Sequence, residues 1–303
     1  MQLQQLRTFY EAAISGSFTR AASKLYLTQP AVTQQIRALE AELGFPLFER
    51  LGRRLRLTAA GEALLAYPPR LLALLDEALS ATREAAGRGT QSLHLGAGDT
   101  VATYILPDLI RDFHAHRPEA ALRLVVGNTE RLLEAILEGE VELAIWARQD
   151  THPLLQQHEF VRAPLVAVVQ PQDPLASRSQ VWARELAGRR LLLRGRASAI
   201  RRFIDALLRR AELETSDAIE MDHLEAIKRT VETGYAVTVA PAFAVSREVS
   251  LGTLAAIPLA DPGAELPLYY VHYVNRRLSA LAETMIDLLR ATTATLLPPD
   301  KQE

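Results

Sequence analysis

Residues 17–50 read SFTRAASKLYLTQPAVTQQIRALEAELGFPLFER. Two helices joined by a tight turn fit this stretch, and the second helix has one apolar stripe and one side with nothing to bury. Val32, Ile36, Leu39 and Leu43 recur at the helical period, so they lie in a line that must face a core. At about 100° per residue the opposite side carries Pro30, Thr33, Gln34 and Arg37. Thr28 is placed to cap the helix start and Gln29 to project beyond it. These hydrogen-bonding groups find no partner in their own helix pair. Either the polar side is merely solvated or it is built to meet something.

A helix-turn-helix fits the second alternative, because its second helix lies in the major groove and offers its N-terminal residues to base edges. A Gln amide donates and accepts in a bidentate pair with adenine. The wording of the stretch goes further. Small Ala21 and Ala22 on the first helix, then LTQPAVTQQIRALEAELGFPLFER, then LTAAG at Leu57–Gly61, closely resemble the N-terminal domain of the LysR-type transcriptional regulators, over about 60 residues without a gap. The resemblance implies that Gln29, Pro30, Thr33 and Gln34 read bases behind a helix start at Thr28, with Lys24 and Arg37 anchoring phosphates. Between Phe48 and Thr58, Leu55 and Leu57 alternate with Arg54 and Arg56 around a turn at Gly52 and Arg53, which predicts a short hairpin, the wing of a winged helix. Arg53 at its tip would enter a narrow minor groove or touch phosphates non-specifically.

The chain has 303 residues, nearly half of them hydrophobic, which a prior of about 150 residues per domain divides into two or more parts. Net charge is −2, but residues 1–60 hold eight Arg or Lys against four acids, a net of +4 that leaves −6 for the remainder. A basic head on an acidic body suits a protein of which one end meets phosphates. There is no cysteine, so disulfide and thiolate chemistry drop out. The opening MQLQQLRTFYEAA lacks the sections of a secretory signal, and no apolar run approaches about 18 residues. A cytoplasmic protein with no membrane contact is expected.

Leu3, Leu6, Tyr10 and Ala13 predict a stripe on the first helix. From Thr58 to about Ala86, Leu64, Leu65, Leu71, Leu72, Leu75 and Leu79 predict a long helix. Its stripe would pair with a second copy or fold back on its own body. Pro68 and Pro69 sit within it, where they cannot donate to the turn before, so a kink or break is expected there. Gly87–Thr90 reads as a joint. Beyond it, SLHLGAG (92–98), ALRLVVG (121–127) and ELAIWA (142–147) predict buried strands between helices, PLVAVVQ (164–170) opens a second such run, and LPLYYVHYV (266–274) precedes a last helix.

The family resemblance extends more loosely over this part and gives the expected architecture. It is an α/β chain with a winged helix-turn-helix at 1–58, a linker and dimerisation helix with its hinge at 59–89, and a two-lobed effector domain at 90–303 that resembles a periplasmic solute-binding protein. Lobe 1 would take about 90–161 and 266–303, and lobe 2 about 162–265. In such sheets ligands sit beyond the carboxyl ends of strands, against helix N-termini. That rule selects Gly98, Asp99, Thr100, Asn128 and Thr129 in the first lobe and Ser198 and Asp222 in the second, although helix capping alone accounts for residues of these types. The resemblance favours Thr100 and Asn128. Where many family members carry a Gly-Ser-Gly-Thr-like turn, this chain has Ala197, Ser198, Ala199 and Ile200, flanked by Arg194, Arg196 and Arg201. These arginines suggest a small anionic metabolite as co-inducer, whereas Asp99 argues for an amino group on the ligand.

Enzyme motifs are weak. GAGDTV at Gly96–Val101 has Val101 where a dinucleotide fingerprint needs its third glycine, and no phosphate loop, nucleophile elbow or HExxH occurs. His114 and His116 are two apart on a predicted helix and do not share a face, so no metal site is expected. The sequence therefore predicts a sequence-specific DNA-binding regulator without catalytic residues or cofactor. Its partners would be double-stranded DNA, a small-molecule effector, further copies of itself as a dimer of dimers, and RNA polymerase as a candidate.

Overall fold

The computed structural model describes the chain apart from residues 52–53, 69–70, 73, 76–77, 80–81, 83–91, 150–151, 214, 216, 275–277 and 293–303. It divides into two compact units, Met1–Gly89 with Leu137–Glu140, and Thr90–Ile136 with Val141–Glu303.

The first unit opens with three helices, α1 (Leu3–Ser15), α2 (Phe18–Leu25) and α3 (Gln29–Leu43). Ser17 caps α2 by accepting from the Arg20 amide, and Thr28 caps α3 by accepting from the Ala31 amide at 3.4 Å. Ala21 and Ala22 are buried, small enough for the helices to approach closely, and Val32, Ile36 and Leu39 close the core with Phe9, Ala12 and Leu47. The predicted stripe of α3 is therefore the buried one, with Leu43 half-buried at its end. The stripe on α1 differs from expectation. Leu6, Phe9 and Ala12 are buried while Leu3 is exposed, because Phe9 and not Tyr10 meets the rings of the core, at 5.5 Å from Phe48.

An antiparallel hairpin follows, β1 (Phe48–Leu51) and β2 (Arg54–Leu57), with Leu51 opposite Arg54. The predicted turn at Gly52 and Arg53 lies outside the described residues. Helix α4 (Ala59–Leu65) stops one turn short of the prolines, with a turn at Ala66 and a bend at Tyr67. The Leu71 amide then donates to the Tyr67 carbonyl at 3.0 Å, so helix resumes with Pro68 at its first position, where a missing N–H costs nothing. Pro69 lies outside the described residues.

The second unit is built on a seven-stranded sheet. β3 (Ser92–Ala97), β4 (Ala121–Val126) and β5 (Leu143–Trp146) run parallel in the order β4, β3, β5. Both faces of β5 are covered, so it is a continuous buried run without alternation. β4 is at the sheet edge, and with Leu124 and Val126 exposed it is not the buried strand its sequence suggested. β6 (Leu155–Val169) is twice as long as its apolar part predicts. Leu155–Pro164 pair with β11 (Glu265–Tyr273), and Leu165–Val169 pair with β9 (Thr238–Pro241) and β10 (Ala255–Pro258). The strand thus leaves one lobe and enters the other. A parallel pair, β7 (Leu192–Arg194) and β8 (Ile219–Met221), completes the strands described for lobe 2.

Helices cover both lobes. Those that matter below are α5 (Asp99–Tyr104) and α7 (Thr129–Leu137) in lobe 1, separated by α6 (Leu106–His116), and α8 (Ala199–Arg210) and α9 (Leu224–Glu232) in lobe 2. One core runs through both lobes, from Leu93, Leu95 and Ile145 past Val161 and Leu165 to Val239 and Ile257.

Candidate functional site

On α3 the burial of Val32, Ile36 and Leu39 leaves Gln29, Pro30, Gln34 and Arg37 exposed and Thr33 half-exposed. Gln29 Nε2 donates to Thr33 Oγ1 at 2.8 Å, and that hydroxyl donates to the Gln29 carbonyl at 3.1 Å. Gln35, one place beyond Gln34, is committed to the fold, since its Oε1 accepts from the buried hydroxyl of Thr8. Lys24 is exposed but pairs with Glu11 at 2.8 Å, so a phosphate would compete for it. Thr28 spends its hydroxyl on the helix cap. Arg53 lies outside the described residues.

In the second unit a cavity of about 640 Å³ opens between the lobes at the carboxyl ends of β3, β4, β5 and β7. Gly98, Asp99, Thr100, Asn128, Thr129, Ser198 and Asp222 all line it. Thr100 and Thr129 are buried, at 6% and 4% exposure. Capping is also real for two of the seven. Asn128 Oδ1 accepts from the Arg131 amide at 2.9 Å, and Ser198 Oγ accepts from that of Arg201 at 3.4 Å. Asp222 packs so closely over Gly195 that a Cβ there would stand 2.2 Å from its Oδ1.

The three arginines around residue 198 part company. Arg201 is buried and used up on Asp205 at 2.7 Å, Glu220 at 3.3 Å and the carbonyl of Arg194. Arg196 faces solvent beside Glu220. Arg194 alone of the three lines the cavity, with Nη2 3.7 Å from Asp99 Oδ2 across the cleft and a buried Nε that meets no acceptor among the described residues.

Further contacts cross between lobes. Tyr104, at the end of α5, packs against the apolar core of lobe 2, and its hydroxyl donates to Glu225 Oε1 at 2.5 Å. Burial and then this bond raise the Tyr104 hydroxyl well above the ordinary phenol range, so it remains a donor. Burial alone would also raise the Glu225 carboxyl, but hydrogen bonds from Lys228 and Tyr104 outweigh it and hold the group below its usual range. Lys228, 3% exposed, is 2.6 Å from Glu225 and 2.9 Å from Glu248, and its Nζ lies 4.7 Å from the centre of the Tyr104 ring. Glu130 on α7 meets Arg202 of α8 at 3.4 Å and Arg148 at 2.8 Å. Tyr104 and Glu225 carry no local signature in the sequence. Their roles come from partners far along the chain.

No group of three or more His, Cys, Asp or Glu among the described residues could hold a metal ion, and no described helix is long and apolar enough to cross a membrane.

Comparison with known proteins accords with this geometry. Residues 3–62 match the model of the bacterial regulatory helix-turn-helix protein, lysR family, and residues 86–294 match that of the LysR substrate binding domain. A probable RuBisCO transcriptional regulator of Cyanidioschyzon merolae is 32% identical over 93% of this chain and 95% of its own length. Another from Trichormus variabilis is 32% identical over 93% of this chain and 85% of its own. The structure of a full-length OxyR variant from Pseudomonas aeruginosa superposes with a TM-score of 0.74 at 26% identity, covering 96% of this chain and 95% of that one. With both family models matched in order over most of its length, the chain belongs to the LysR family of transcriptional regulators, which bind DNA through a helix-turn-helix and an effector through a two-lobed domain.

Proposed function

We propose that the protein reads DNA with Gln29, Pro30, Thr33 and Gln34 on α3, holds phosphates with Arg37 and Lys24, and takes a small anion in its cleft. A carboxylate or phosphate would replace Asp99 as the partner of Arg194 and lie against the N-terminus of α8, where unpaired amides and the helix dipole favour negative charge. The observation that carries this reading is the convergence of seven residues from separate strand ends on one cavity, with the guanidinium of Arg194 lining it as well. An amino group on the ligand, facing Asp99 and Asp222, is the second reading that the same lining supports.

Ligand-dependent regulation then requires unequal affinity for two arrangements of the lobes. Leu71, Leu74 and Leu79 lie exposed in the single chain, an apolar stripe suited to a second copy, and the family resemblance supports a dimer of dimers as the assembly. The reading is of a cytoplasmic regulator without catalysis or cofactor, with RNA polymerase as a partner at the promoter. Footprinting on the DNA upstream of its own gene, repeated with carboxylate and phosphate metabolites, tests it. A protected segment that survives competitor DNA and shifts with an anion is expected. Absence of protection at moderate ionic strength overturns the DNA reading, and a response confined to neutral or cationic compounds overturns the anion.

A further inference from the structure

Tyr26 is the residue that the fold least explains. Its backbone is left-handed, φ 55° and ψ 37°, one of two non-glycine residues with positive φ among those described. It closes α2 at the position where glycine or asparagine is the ordinary occupant, because a Cβ is disfavoured there. Its side chain is 96% exposed, more than that of any other large apolar residue described. Isolated surface aromatics are common and need no explanation. An aromatic that has neither packing nor a favourable backbone is different.

The turn is nevertheless held by hydrogen bonds and packing on its far side. The next amide, Leu27, donates to the Ala22 carbonyl at 2.9 Å, and the Leu27 side chain packs on the core of the unit. Thr28 then caps α3. Tyr26 therefore stands in a hydrogen-bonded turn immediately before the helix end that a helix-turn-helix inserts in the major groove. The chain entering such a helix passes the rim of the groove, which is sugar and phosphate. A tyrosine suits that rim, with a ring to lie on deoxyribose and a neutral hydroxyl to donate to a phosphate oxygen.

We infer that Tyr26 is a positioning contact to the DNA backbone, and that its unfavourable turn conformation is kept because it aims the ring. The inference rests on α3 as the DNA-reading helix. It concerns orientation on the duplex and not choice of sequence.

The test uses full-length wild type, Tyr26→Phe and Tyr26→Asn, with two probes: a duplex selected by the wild-type protein from a random library, and a scrambled duplex of the same composition. Affinity is measured across a salt series and thermal stability in parallel. Tyr26→Asn, which tolerates the left-handed conformation, should melt no lower than wild type yet bind both duplexes about tenfold more weakly, the scale of one hydrogen bond to a charged acceptor. Tyr26→Phe should lose affinity on both duplexes as well, and the salt slope should not change in either variant, because a neutral hydroxyl releases no counter-ion. Unchanged affinity in Tyr26→Asn overturns the inference. So does a loss confined to the selected duplex, which would make Tyr26 a reader of bases, or a melting point that falls together with affinity, which would make it structural. Failure of the wild type to prefer any duplex overturns the reading of α3 instead.

Discussion

Gln29 and Thr33 hold each other one helical turn apart, and the bond leaves the Gln29 amide with one N–H and its carbonyl oxygen to offer. Those are the two groups that a bidentate contact to adenine uses, so Thr33 aims the amide, while its own hydroxyl, already donating to the Gln29 carbonyl, keeps only a lone pair to offer. Gln29→Ala is expected to remove about 1–3 kcal/mol of discrimination between a selected duplex and a scrambled one, with little effect on the scrambled one alone. Equal losses in a competition binding assay would count against base reading. At this scale the sequence was partly legible. Helical periodicity alone puts Gln34 on the open side. That Gln35 is spent on Thr8, 27 residues upstream, depends on how α1 packs across α3 and leaves no trace near either residue.

Among the elements, α4 shows a close contact that its sequence motif does not explain by itself. Gly61 is buried, and a Cβ built on it would stand 2.2 Å from the Leu47 carbonyl oxygen and 2.8 Å from a Leu57 methyl. The same carbonyl accepts from the Thr58 amide at 3.0 Å, so it cannot retreat without breaking the start of α4. Gly61→Ala should therefore destabilise this unit by about 1–3 kcal/mol, as overpacking does, despite alanine's better helix propensity. A denaturant midpoint equal to or above that of wild type would show that α4 can lift off the hairpin at no cost. The prolines beyond it were readable as an interruption, because proline physics is local. The outcome, a stop at Leu65 and a fresh start at Pro68, follows from proline being welcome at a first helical position. Less legible was β6. His158 and Glu159 disguise a strand whose neighbours, Tyr269 and Tyr270 of β11, lie more than a hundred residues on.

On the scale of the effector-binding unit, the rule that ligands gather beyond strand ends was enough to find seven residues that line one cavity, since it depends on topology and not on contacts. It could not find Tyr104, whose partner Glu225 lies 121 residues away. Yet α5 is only six residues long, with Asp99 and Thr100 on the cavity at one end and Tyr104 locked into the other lobe at the other. Whatever displaces the start of this helix must also work against the Tyr104 contact. Tyr104→Phe keeps the ring beside Lys228 and removes only the donor to Glu225, a hydrogen bond to a charged acceptor worth about 1.5–3 kcal/mol. If that bond holds the lobes together, amides of α5 should lose about tenfold or more in hydrogen-exchange protection in the full-length variant, while those of β3 and β5, buried in the shared core, keep theirs. Unchanged exchange in α5 would mean that ring packing and the Glu130–Arg202 pair suffice, and that the hydroxyl has no part in holding the cleft.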